Sequence, residues 1–226
     1  MESSKRGTTM TKRELTKRYI LLIFGLFLSA LGVAFTKHGE LGVSPISSVP
    51  NVLSYKFTFF TMGVWLIIWN CILIVGQVII LRKEFQLIQL LQIPLSFLFG
   101  YFTDFGLWCV SPIPTDYYPV RLLMVLIGIV VLGLGISLAV IAGVIMNSGE
   151  AFVKAVSDSI HKEFGNVKIV FDICNVSLAL ILSLIFFDFT IVGAREGTIL
   201  SAVLTGVVVK FFGKRLKKPL TDRLVK

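Results

Sequence analysis

Six apolar blocks, at about residues 19–36, 59–81, 86–108, 120–146, 167–187 and 197–213, leave this chain few ways to fold. Each is roughly 17–25 residues long, enough for an α-helix to cross about 30 Å of hydrocarbon. None alternates with the period of two that a membrane β-strand requires, so the spans are read as helices, which satisfy their own backbone. Composition agrees: 55% of the 226 residues are hydrophobic, 15% are charged and the mean hydropathy is +0.87. A soluble domain carries roughly a quarter charged residues. The expected fold is all-α, a polytopic membrane bundle of about six transmembrane helices. The first block follows Lys12, Arg13, Lys17 and Arg18 as a signal peptide would, but it is long and no convincing cleavage site follows.

A net charge of +9 could suggest nucleic acid, but its distribution speaks for a membrane. Eighteen of the 22 Lys and Arg residues fall before the first block, in the second and fourth connections, and from Lys210 onward. The alternate connections hold only Lys37, Lys56, Arg121 and Arg195. Cytoplasmic flanks retain Lys and Arg, so both termini are expected inside, with basic tails at 1–18 and 214–226 drawn to anionic lipid. The partner expected first is the lipid bilayer, and no nucleic acid. Cys71, Cys109 and Cys174 form no Cys-x-x-Cys pair and are read as packing residues, with no metal site.

Two segments of the chain resemble each other at a nearly constant offset. Gly25-Leu26-Phe27-Leu28-Ser29 matches Gly133-Leu134-Gly135-Ile136-Ser137 at 108 residues; Gly42 matches Gly149 at 107, and Gly100 matches Gly206 at 106. Residues 19–108 and 120–213 therefore read as two membrane repeats of three spans each. Three is odd, so the second must enter the membrane from the opposite side, a 3+3 inverted repeat whose site tends to lie between the halves. Gly25, Ser29, Gly32 and Thr36 form one stripe of small residues, and Gly135, Ala139 and Gly143 another, so these two helices are expected to cross closely.

The polar residues inside these blocks are the candidate site. Asn147 precedes Glu150 by three, the spacing of an N-cap with an acidic third residue. The helix they open is either an interfacial amphipathic helix, with Glu150–Lys154 and Asp158–Lys162 pairs, or the mouth of a path. Asp172 lies within the fifth block with Lys168 and Asn175 one turn either side; it is either an interfacial ion pair or a working carboxylate. Asn70 and Gln77 share a face of the second block. Gln92 belongs to a polar stripe with Gln86, Gln89 and Ser96 on the third, where Pro94 is expected to free a carbonyl and kink the helix. Glu196 opens the sixth block beside Arg195, and Arg195 could pair with Asp188 across a mouth.

Gly42-Val43-Ser44-Pro45, Thr103-Asp104, Gly149-Glu150-Ala151, Lys168 with Asp172, and Arg195-Glu196-Gly197-Thr198 together resemble the YczE/YyaS/YitT-like family of bacterial integral membrane proteins. The likeness covers about residues 17–213; Ser148 departs from it, since proline is expected before Gly-Glu. It implies a bacterial cytoplasmic-membrane protein of a family whose activity is largely unassigned.

The function expected is a small-molecule carrier or exporter for an uncharged or cationic solute, using Asp172, Asn175, Glu150, Asn70 and Gln92, with Glu196 and Arg195 on the path. The alternatives are a non-transporting accessory or regulatory subunit, working as a homo-oligomer or with a membrane partner protein, and a substrate-binding subunit of a larger transporter. No Gly-x-Ser-x-Gly, His-Glu-x-x-His or P-loop occurs, so neither enzymatic activity nor a cofactor is expected.

Overall fold

The computed structural model describes residues 11–225; the first ten residues of the basic tail, with Lys5 and Arg6, lie outside the described residues. Eight α-helices follow one another: α1 (Lys12–His38), α2 (Pro45–Lys56), α3 (Met62–Leu81), α4 (Gln92–Val110), α5 (Tyr118–Ala142), α6 (Ser148–Ile160), α7 (Phe164–Phe186) and α8 (Glu196–Val225). Two 3-10 turns, Arg82–Glu84 and Leu87–Leu91, join α3 to α4, and no strand occurs among the described residues. Six helices (α1, α3, α4, α5, α7 and α8) are long and apolar enough to cross a membrane. At 12 and 13 residues, α2 and α6 are too short to do so.

Two helix ends and one expected kink differ from the sequence reading. α1 begins at Lys12 because Thr11 Oγ1 accepts from Glu14 N at 3.3 Å, while Glu14 also pairs with Arg18 at 2.9 Å. Arg18 then reaches Ala142 O at 2.9 Å, which fixes the basic segment to the end of α5. α8 continues through Pro219 to Val225, well past residue 213. Pro94 falls in the first turn of α4, where no helical hydrogen bond is required of it, so the expected mid-helix kink does not arise.

The central contact is α1 against α5. A Cβ built on Gly32 would stand 2.5 Å from Leu132 N and 2.7 Å from Gly128 O, and one on Gly25 would stand 2.7 Å from Gly135 O. Lipid offers no hydrophobic drive for helix association, so such backbone-to-backbone approach must hold the pair. Gly143, expected to extend the α5 stripe, instead caps that helix in the left-handed region at φ +63°.

Around this pair α4 packs on α1 and α8 on α5. α2 packs on α7 and α6 on α3, where Gly76 makes room for the Phe152 ring. α3 and α4 are also closely packed, whereas α7 and α8 are not packed along their length. Large apolar side chains such as Ile79, Phe97, Ile173, Ile185 and Val203 cover the outside. Hydrocarbon rather than water is the medium in which that surface costs nothing.

Candidate functional site

The two short helices begin inside the bundle. Gly42, at φ +116°, turns the chain after α1 beneath the start of α8, where Gly197 N donates to Leu41 O at 2.7 Å. Such a φ suits glycine alone among common residues. Pro45 then opens α2 at a position where its missing N–H is no loss. Ser48 Oγ lies 3.3 Å from Asn175 O, midway along α7, while Lys56 Nζ reaches Phe186 O at the end of α7. α2 therefore runs from the interior to one end of the bundle.

α6 starts in the same way, with its N-cap Asn147 at φ −58°, ψ 149° against φ −58°, ψ 150° for Ser44. The two starts meet, because a Cβ on Gly149 would overlap Ile46 Cδ1. Helix starts leave N–H groups without intrahelical partners and carry a partial positive charge. Here both lie in one place.

A buried amide web surrounds the start of α6. Gln77 and Gln92 exchange hydrogen bonds at 3.0 and 3.1 Å, and Gln77 Nε2 also donates to Ser148 O at 3.1 Å. Ser96 Oγ lies 3.2 Å from Ser148 Oγ and donates to Gln92 O at 2.7 Å. On the α2 side, Ser44 Oγ donates to Ser47 Oγ at 3.1 Å and Ser48 Oγ to Pro45 O at 2.6 Å. Two buried atoms here, Asn175 Oδ1 and Thr198 Oγ1, have no hydrogen-bond partner among the described residues. An unsatisfied buried polar atom costs about 1–3 kcal/mol.

Of the residues expected at the site, Gln92 and Asn175 are buried in this region, and Glu150 stands in the first turn of α6. Burial raises the Glu150 carboxyl above its ordinary pKa; Lys168 opposes this, and Asp172 adds to it. Asp172 is held in an ion pair with Lys168 one turn away. Asn70 is only partly buried and makes no side-chain hydrogen bond among the described residues, so it stays outside the web. Arg195 pairs with its neighbour Glu196 at 3.3 Å, not with Asp188, and both lie at the partly exposed start of α8. Neither expected pair on α6 forms, since Lys154 turns to Asp158 at 3.1 Å. The first half of α6 is enclosed, with Ser148, Gly149, Val153 and Ala155 buried, which a purely interfacial helix would not be.

Ser148 and Ser48 are the residues that sequence reasoning passed over as members of the site, and it notes Gln77 only as sharing a face with Asn70. That face marks Gln77 as inward; its importance comes from Ser148, 71 positions away.

A bundle of six long apolar helices with two short helices beginning inside it defines a multi-pass helical membrane protein. The chain matches the family of unknown function DUF6198 over residues 16–214, and it belongs to that family. It is similar to the uncharacterized membrane protein YczE of Bacillus subtilis (strain 168), with 27% identity over 202 residues, 88% of this chain and 87% of that protein. The resemblance drawn from the motifs is therefore borne out. No solved structure matches the chain.

Proposed function

We propose that the chain is a small-molecule carrier or exporter of the bacterial cytoplasmic membrane, built as a 3+3 inverted repeat with its site where α2 and α6 meet. One observation carries this reading, the convergence of two helix starts at Ile46 and Gly149 within a bundle of spanning helices. Backbone ends persist at membrane depth only where protein buries them or a cavity hydrates them. Pairs of interrupted helices mark the substrate sites of inverted-repeat carriers. The exchanged partners support the repeat: α2 lies on α7 and α6 on α3, while α1 carries α4 and α5 carries α8. Two copies threaded in opposite senses would pack in that way, apart from α3 on α4, which has no close counterpart between α7 and α8.

The solute is uncharged or cationic. The two helix starts alone would draw negative charge, but the Glu150 carboxylate in the first turn of α6 offsets them. That carboxylate also accepts from Asn147 N, and Asn175 Oδ1 is a further acceptor. Glu150 carries the proton or meets the cation. Asp172, already paired with Lys168, sets the local charge. The test is proton flux into dye-loaded proteoliposomes, driven by a panel of small amines and neutral polar solutes. Glu150→Gln is expected to cut the flux about tenfold or more, the worth of one charge-assisted contact, and Asp172→Asn is expected to cut it less. A flux that ignores both substitutions overturns the site.

The bias of Lys and Arg supports cytoplasmic termini. Reporter fusions at both ends should be active on the cytoplasmic side, and reporters active on opposite sides would refute the odd-span repeat. A second reading, an accessory membrane subunit, is favoured by the bare face of α8: a Cβ on Gly206 or Gly213 would meet no atom within 4 Å. Co-purification of a fixed partner with no flux for any solute would select it.

A further inference from the structure

Where α1 ends and α3 begins, a cleft of about 430 Å³ is lined by Lys37, Ser54, Tyr55, Phe60, Thr61 and Asp104. That volume is in the range of small-molecule sites. Lys37 Nζ donates to Asn51 Oδ1 and Ser54 Oγ, both at 2.8 Å, and lies 3.9 Å from the Tyr55 ring centre. All three neighbours are neutral. Among the described residues no carboxylate comes within 4.0 Å of the ammonium, and nearby Glu40 is taken by Arg121 at 3.2 Å.

Asp104 is the mirror case. Its carboxylate accepts from Thr61 Oγ1 at 2.6 Å and from Gly63 N at 2.8 Å, and no cation among the described residues reaches it within 4.0 Å. One cleft thus carries an ammonium and a carboxylate that feel each other's charge without touching, since neither has an opposite charge within 4.0 Å among the described residues. Each is held in place by hydrogen bonds to neutral groups, and a charge partly withdrawn from water with no counter-ion in contact is costly. A ligand carrying both charges would relieve both costs at once, on groups already oriented to meet it.

We propose that this cleft binds a small zwitterion, with its anionic group on Lys37, its ammonium on Asp104 and its apolar remainder against Phe60, Met62 and Leu107. The site is separate from the seam of α2 and α6 and stands whether or not the protein transports. The same chemistry could arrive as a free amino acid or as the head group of an ethanolamine phospholipid.

The test uses the full chain in nanodiscs of phosphatidylglycerol, titrated with L-phenylalanine, phenethylamine and 3-phenylpropionate. The amino acid is expected to bind about tenfold or more tighter than either single-charge analogue, the worth of one charged contact. Lys37→Met should weaken phenylalanine by a similar factor and leave phenethylamine unchanged. Asp104→Asn should weaken phenylalanine and spare 3-phenylpropionate. The two variants are read independently, so misfolding of one leaves the other decisive. Repeating the titration in phosphatidylethanolamine nanodiscs separates the sources: weakened phenylalanine binding assigns the lipid head group, and unchanged binding assigns the soluble zwitterion. The proposal is overturned if 3-phenylpropionate binds as tightly as phenylalanine. It is equally overturned if phenylalanine fails to bind at about 10 mM and phosphatidylethanolamine is not retained through purification.

Discussion

Gly32→Leu is expected to leave little folded protein. The new Cβ would approach Leu132 N and Gly128 O, which are backbone atoms of α5 and cannot turn aside as a side chain could. Relief requires α1 and α5 to part, and the rest of the bundle is built on that pair. Overpacking in a soluble core costs about 1–3 kcal/mol. Here the cost should exceed that range, since no hydrophobic drive in lipid compensates for lost contact between helices. The check is the fraction of monodisperse protein surviving a heating series in detergent. Gly206→Leu is the control: nothing lies within 4 Å of the added carbon, so its effect should stay within about 0.5 kcal/mol. A Gly32→Leu protein that melts with the parent would remove α1–α5 from the centre of the fold.

The contrast between those two glycines shows what was legible in the sequence. Block length and hydropathy placed all six spanning helices, because hydrocarbon thickness dictates both. The small-residue stripe on α1 foretold its crossing with α5, since close packing in lipid demands such residues. The early start of α1 was also written in the chain: Thr11 and Glu14 stand at capping-box spacing, and Arg18 follows one turn later. It was masked by four basic residues that looked like a tail. α6 was announced by Asn147 and Glu150, but α2 was harder. A short helix tucked among others needs only small and moderately polar residues, and Ser44-Pro45-Ile46-Ser47-Ser48 reads equally well as a loop. For the site, Gln92 and Asn175 were found because an amide in an apolar block is conspicuous. Gln77 and Ser148 matter through a contact spanning 71 positions, which no local pattern encodes. Lys37 counted only as a loop charge until the fold set it across a cleft from Asp104.

The second large effect concerns the meeting of α2 and α6. Gly149 is buried, and the Ile46 side chain fills the space that any side chain at 149 would take. Gly149→Leu must therefore push the two helix starts apart or eject Ile46 from the seam. The amide web through Ser148 would be disturbed in either case, because Gln77 and Ser96 both hold that residue. The single substitution is expected to destabilise the protein by about 2–3 kcal/mol and to abolish any flux. Ile46→Ala alone should cost about 2 kcal/mol for the vacated volume. Combined, the new leucine occupies the space the isoleucine left, so the double variant should be more stable than the sum of the single losses by at least about 1 kcal/mol. Denaturant unfolding of the four proteins in one micelle system measures that coupling without reference to any substrate. Losses that add to within about 0.3 kcal/mol would mean that the two starts do not touch, and the site built on their meeting would go with them.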